Sequence, residues 1–502
     1  MTVEIPPQHE ASLANSDLRP DEGWNVLYVD GEWVRPDHDR TLSVRDPSTG
    51  DELTTVPAGT EADTDRAFES ADEAQSEWAD ATPAERAGVL REVASLLEEH
   101  EDELVRLLGL EAGGCRAKSA IECGITQELV SLTSSLPYRV NGEQSGSPIP
   151  GKQNNVLREP VGVVGVITPW NYPLNLALRA IAPALALGNA VVLKPDEKTP
   201  VVGGLALARL FEEAGLPDGL FNVVPGRGEE VGDHLSSHED ASVVSFTGST
   251  EVGYTIAENA AENLTPPLLE LGGNCPHVVL EDADVDRAID AGVFGSFIHQ
   301  GQGCISINRH LVHESLYDEY VERLAERAEA LPIGDPLDPE TVIGPIIDDG
   351  QRDRIVSLVE ESREEGAVVR AGGDHDGRFV EPTVLSGVDN NMPIADCEHF
   401  GPIAPVIPFE TDEEAVRLAN DTEYGLAASV HSESERRAWE VADEIDAGMI
   451  HLNDQPVNDD PHTPFGGVKS SGLGRYNDQW MISELTETKW VSVQQSSREY
   501  PF

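Results

Sequence analysis

The run Val161-Gly162-Val163-Val164-Gly165-Val166-Ile167, then residues 173–187, then Ala190-Val191-Val192-Leu193-Lys194, decides the fold. Valine-rich runs without polar alternation read as strands buried on both faces. Between them, Pro173 stands at a helix-starting position and apolar residues follow at helical spacing. A strand–helix–strand unit of this kind crosses over right-handed and lays its strands parallel. The pattern continues outward, with helices predicted over 202–214, 231–236 and 251–263 and strands over 221–224 and 242–246. A second series follows: strand 278–280, helix 285–299, strand 310–312 and helix 317–330, then strand 404–408, helix 412–420, strand 427–431, helix 433–445 and strand 449–453. Two α/β domains in succession, each a doubly wound parallel sheet, account for this order. Upstream, residues 61–134 carry helical periods, and residues 28–33 read as a hairpin around Asp30-Gly31. Residues 137–155 break into Gly, Ser and Pro with short extended runs, and residues 1–22 read as a loose polar arm.

A chain of 502 residues is too long for one ordinary core. Its formal charge of −58 comes from 92 acidic and 34 basic residues, and only six of the basic residues are lysine. With 39% hydrophobic residues in patterned segments, this is a folded protein with an acidic, lysine-poor skin. Such a surface repels itself in dilute buffer and becomes tolerable where salt shortens the Debye length to roughly 3 Å, at about 1 M. It reads as adaptation to a salt-rich cytoplasm, and it excludes nucleic acid as a partner. The cysteines Cys115, Cys123, Cys275, Cys304 and Cys397 are scattered, with no paired spacing, so neither a disulfide framework nor a metal site is expected. The N-terminus lacks signal-peptide features, and no run is long and apolar enough to span a membrane. A cytoplasmic location is expected.

Three side chains carry the chemistry. Cys304 lies in Gly301-Gln302-Gly303-Cys304, where small neighbours let a backbone amide and a substrate reach its sulfur. Glu270 precedes Leu271-Gly272-Gly273, an unusual setting for a surface charge, and Asn171 lies in Pro169-Trp170-Asn171. A thiol, a carboxylate and an amide form a minimal kit for acyl chemistry at a carbonyl carbon. The other four cysteines read as small core residues. Lys194-Pro195-Asp196-Glu197 follows a parallel strand, at the edge where such folds bind ligands, and a carboxylate there can accept both ribose hydroxyls of an adenosine. Gly248 and Ser249 in Phe246-Thr247-Gly248-Ser249-Thr250 open a helix, either as a pyrophosphate site or as a plain glycine turn with a serine cap. Gly226-Arg227-Gly228 offers a glycine loop without the last glycine of the dinucleotide fingerprint.

With these motifs in this order, the chain resembles the aldehyde dehydrogenase superfamily from about residue 28 to residue 493. Further matches are Glu381-Pro382-Thr383, Glu398-His399-Phe400-Gly401-Pro402 and Pro464-Phe465-Gly466-Gly467-Val468-Lys469. The resemblance implies oxidation of an aldehyde to the acid through a thiohemiacetal and a thioester on Cys304. Asn171 and the Cys304 amide would hold the oxyanion, and Glu270 would be the general base. It implies NAD, with NADP possible, held by Thr168, Pro169, Trp170, Lys194, Glu197, Gly226, Gly248, Ser249, Glu398 and Phe400. It also implies a Rossmann-like cofactor domain (1–136 and 160–269), a catalytic domain (270–470), and oligomerisation and bridging segments (137–159 and 471–502), in which residues near 137–159 and strand Lys489–Gln494 form a small β-ribbon, in a homodimer or homotetramer.

Asn175–Arg179, residues 297–302 and residues 453–463 look like the benzaldehyde and vanillin dehydrogenase branch, which implies an aromatic aldehyde. Gly303, directly before Cys304, departs from the bulkier neighbour expected there and would widen the tunnel. The rival within enzymes is a dehydrogenase of succinate or 2-oxoglutarate semialdehyde, anchored by Arg179 or Arg309. A rival of another class is a non-catalytic structural or binding protein on the same fold.

Overall fold

The computed structural model describes residues 13–502. The central parallel strands of the first sheet run in the order Phe221–Val223, Ala190–Lys194, Val163–Ile167, Ala241–Thr247 and Pro267–Glu270. All five residues of Val163–Ile167 and of Ala190–Lys194 are buried, as their apolar runs, broken only by the terminal Lys194, require. The hairpin Leu27–Val29/Glu32–Val34 closes one edge, with Asp30 and Gly31 at φ 56° and 72° in the primed turn that their sequence favours. The connecting helix Pro173–Ala186 is buried along all 14 residues, packed against helices Pro83–Glu99 and Arg116–Thr133. Apart from Asn175 and Arg179 its residues are apolar, and a helix so composed must be enclosed in this way.

The second sheet has the order Val368–Ala371, Thr383–Ser386, Ile403–Phe409, Ile307–His313, Cys275–Val279, Ala427–His431 and Met449–Leu452. All of its pairings are parallel except the first. A three-stranded antiparallel ribbon, Glu143–Gly146, Lys152–Pro160 and Thr486–Gln494, stands apart from both sheets. Two parallel α/β sheets and a ribbon are the architecture read from the sequence.

Several local expectations change. The loose arm of residues 1–22 partly lies outside the described residues, but Leu13 and Leu18 are fully buried and Trp24 Nε1 donates to Leu13 O at 2.8 Å. Apolar anchoring therefore overrides the polar composition of residues 13–22. Strand Pro267–Glu270 has no counterpart in the sequence reading, because four residues opening on proline give almost no period. Helix Asp349–Glu364 was likewise faint, burying only Ile355, Val359 and Ser362. Gly472–Leu473 returns to the first sheet as an antiparallel edge beside Leu269 and Glu270, and the ribbon strand expected from Lys489 begins at Thr486.

Among the described residues the buried acidic side chains are Asp63, Glu111, Glu122 and Glu270, and the other acids are partly or fully exposed. The charge excess is therefore a surface property, open to screening by salt. Raising KCl from about 0.1 to about 3 M should raise the melting temperature by about 10 °C or more, about 10 kcal/mol if a chain of this size melts as one unit. Equal melting at both ends of the range would defeat the salt-adapted reading.

Candidate active site

The strand order of the first sheet reverses between Val163–Ile167 and Ala241–Thr247, the point at which open α/β sheets leave a crevice. The turns after these strands carry Pro169-Trp170-Asn171 and Gly248-Ser249, and Glu270 ends the next strand. Cys304 reaches the same place from the second domain, on the loop before strand Ile307–His313. That loop is tightly constrained. His299, Gln300 and Gly301 have φ 50°, 55° and 67°, and a Cβ at Gly301 would lie 2.1 Å from Gly401 O. The Gln300 amide donates to Gly113 O (3.1 Å) and Pro345 O (3.3 Å), and Gln302 Oε1 accepts from Ile347 N at 3.0 Å.

Asn171 bridges the two domains, with Nδ2 donating to Gln302 O at 2.9 Å. Its own position is held by a buried pair that sequence reasoning missed. Lys118 Nζ donates to Glu122 Oε2 (2.5 Å) and to Asn171 O (2.8 Å). Glu122 Oε1 accepts from Leu174 N (3.0 Å) and Asn175 N (3.2 Å), at the N-terminus of helix Pro173–Ala186. A carboxylate there satisfies amides that the helix leaves unpaired. The available signal was that one of only six lysines sits four residues before a glutamate inside a helical period.

Glu270 is 3% exposed and neither carboxylate oxygen has a hydrogen-bond partner. Burial holds its carboxyl well above the ordinary glutamate range, with Arg179 and Arg475 pulling it back and Asp459 pushing it further up. Gly466 keeps the approach clear, since a Cβ there would lie 2.6 Å from Glu270 Oε1. The Cys304 thiol is also pushed up, first by burial and then by the nearby Glu398 and Glu270.

Two cavities meet at Cys304 and Asn171. One is mainly apolar, with Phe294, Ile298, Val457 and Phe465 among its walls and Gly303 beside the thiol. Arg179 and Asp459 line it as well, so the three branch-like stretches of sequence converge on one tunnel. The other cavity gathers Pro169, Trp170, Gly248, Ser249, Glu398 and Phe400. Trp170 packs edge-on against Phe400 at 5.6 Å between ring centroids. Glu398 Oε1 accepts from Gly273 N at 3.1 Å, and burial pushes its carboxyl up to about 7. Ser249 caps helix Thr250–Ala261, accepting from Val252 N. That observation supports the capping reading without removing the other.

Thr168, Lys194, Glu197 and Gly226 do not line the cavity beside Cys304. Thr168 and Lys194 adjoin at the end of the sheet, through Thr168 N to Lys194 O at 3.3 Å, and Thr168 Oγ1 is buried without a partner. Glu197 lines a separate pocket with Glu111, Asp196, Lys198 and Asp348. At Gly226 a Cβ would lie 2.3 Å from the Val231 side chain, so the loop there has no room for a larger residue. Arg309 lies away from both cavities, bonded to Asn390 Oδ1 and the carbonyls of Asn274, Leu418 and Ala419. Asp65, His234 and His238 gather at the surface of the first domain, with His234 Nε2 2.6 Å from Asp65 Oδ1. The sequence could not show that cluster, because its members are far apart in the chain.

Comparison with known proteins agrees with this geometry. Residues 33–491 match the model of the aldehyde dehydrogenase family. The chain is 43% identical over 481 residues to a benzaldehyde dehydrogenase of Bacillus subtilis (strain 168), covering 96% of this chain and 99% of that protein. It is 44% identical over 470 residues to a vanillin dehydrogenase of Corynebacterium glutamicum, covering 93% and 97%. Among solved structures, betaine aldehyde dehydrogenase from Staphylococcus aureus in complex with NAD+ superposes with a TM-score of 0.93 at 36% identity, covering 95% of this chain and 96% of that one.

Proposed function

The chain belongs to the aldehyde dehydrogenase family, and on that premise we propose that it oxidises aromatic aldehydes of the benzaldehyde and vanillin type to their acids with NAD. The observation that carries this reading is the position of Cys304, where an apolar tunnel and a polar interdomain cavity meet.

In this reading Cys304 Sγ attacks the aldehyde carbon at the end of the tunnel. An amide nitrogen carries two N–H bonds. Asn171 commits one to Gln302 O, and the second, with the Cys304 amide, holds the developing oxyanion. The Lys118–Glu122 pair keeps Asn171 in register by fixing its carbonyl and the helix that follows. When bound, NAD supplies the hydride acceptor that turns the thiohemiacetal into a thioester. Glu270 then takes a proton from water, which attacks the thioester, and the acid departs as the Cys304 thiolate is restored.

The residues present fit NAD. Trp170, Gly248, Ser249, Glu398 and Phe400 surround the cavity on the side of Cys304 away from the tunnel. Gly248 leaves no room for a side chain, since a Cβ there would meet the Phe246 ring at 2.4 Å. Glu197, with Thr168 and Lys194 nearby at the sheet edge, is assigned to the adenosine ribose. Glu197 accepts from Gly228 N at 2.9 Å, and Lys198 is ion-paired with Asp348 at 2.6 Å. With Lys198 so engaged, the acids of this pocket disfavour a 2′-phosphate. NAD should exceed NADP in kcat/KM by at least about tenfold, a difference of about 1.4 kcal/mol. Equal values would remove Glu197 from the ribose site.

The ribbon supports a homodimer or homotetramer. Strand Thr486–Gln494 is exposed along nearly its whole length, with Trp490 67% exposed, and a thin sheet with apolar side chains in water needs a cover. No helix among the described residues is long and apolar enough to cross a membrane, and a cytoplasmic site fits an acidic enzyme that works in salt. A panel in high KCl comparing benzaldehyde and vanillin with succinate semialdehyde tests the substrate reading. Preference for succinate semialdehyde would overturn it in favour of the rival.

A further inference from the structure

The tunnel beside Cys304 holds four charged side chains in two compensated pairs. Lys118 pairs with Glu122, and Arg179 pairs with Asp459. The two pairs differ in purpose. Lys118 and Glu122 are spent on backbone groups of the Asn171 turn. The Arg179 guanidinium meets Asp459, donates to Asn175 Oδ1 at 3.0 Å and stacks over the Phe465 ring at 4.0 Å. Its Nε and Nη1 are buried and find no protein acceptor. Asp459 is in turn oriented by Asn477 Nδ2, at 3.0 Å. A buried arginine with unspent donors on the wall of an aldehyde tunnel would ordinarily recruit a carboxylate. Here a carboxylate from the chain itself already sits there.

We propose that Asp459 is a specificity-determining residue: by pairing with Arg179 it keeps the tunnel uncharged and turns away aldehydes that carry a second, anionic carboxylate. This rests on the reading of that tunnel as the aldehyde site. A neutral ring meets no unpaired charge on entry. An anionic substrate would bring its carboxylate beside that of Asp459, and the repulsion offsets what Arg179 could give. Removing the negative charge of Asp459 while leaving its shape exposes Arg179 as an anion anchor.

The experiment compares benzaldehyde with 4-carboxybenzaldehyde, and butanal with succinate semialdehyde, so that each pair differs mainly by a carboxylate. The anionic-to-neutral ratio of kcat/KM is read within each variant, which cancels any general loss of activity. Asp459→Asn should raise that ratio by at least about tenfold over the parent, equivalent to about 1.4 kcal/mol. The double change Arg179→Gln with Asp459→Asn should abolish the gain. Asp459→Ser removes the same charge with a smaller side chain and carries the same expectation if the asparagine variant does not fold. An unchanged ratio, or a gain that survives loss of Arg179, overturns the proposal. If the parent oxidises no neutral aromatic aldehyde but does oxidise butanal, the aromatic reading fails and the chain pair still tests Asp459. If it oxidises no neutral aldehyde at all, both fall.

Discussion

Cys304→Ala should reduce NADH formation by roughly 10⁴–10⁶-fold, as deletion of an enzyme nucleophile does. The loss should appear in the first turnover as well as in the steady state, because no thiohemiacetal can form. Folding should survive, since the side chain shrinks by one sulfur at a half-buried position. The other cysteines cannot replace it. Cys115, Cys123 and Cys275 are buried, and neither they nor Cys397 line the cavities that meet at Cys304. Cys275 comes nearest, its Sγ 3.6 Å from Cys304 O, but it does not line either cavity. Rapid-mixing absorbance of NADH measures both phases. A variant that keeps several per cent of parental turnover would remove Cys304 from the nucleophile's role.

Glu270→Gln should separate the two halves of the reaction. Glutamine preserves the shape of the side chain and removes the base. The expected trace is a burst of NADH approaching one equivalent per subunit, then a steady rate lower by about 10²–10⁴-fold, the usual worth of a general base. The pH dependence gives a second reading. The carboxylate is the working form, and burial keeps Glu270 protonated at pH values where an exposed glutamate is ionised. Steady turnover in the parent should therefore fall as pH drops through this raised titration, and that limb should be missing in Glu270→Gln. A variant without a burst, as inert as Cys304→Ala, would mean that Glu270 also activates the thiol or is not the hydrolytic base.

Much of this protein is local information. Residues 163–167, 173–186 and 190–194 are legible because strand and helix periods are set by the backbone, and an element buried on every side must be apolar along most of its length, with Asn175, Arg179 and Lys194 the exceptions here. Family motifs and surface charge are equally readable, since they depend on residue type and order alone. Tertiary structure decided the rest. The pairing of Arg179 with Asp459 joins residues 280 positions apart, and Lys118 meets the carbonyl of Asn171 across 53 positions. Glu270 shows the difference most clearly. Its place in a motif follows from the sequence, but its raised titration exists only because the chain folds back and strips its oxygens of water and partners. Desolvation and charge compensation arise from groups brought together over long chain distances, and no local pattern records which groups those will be.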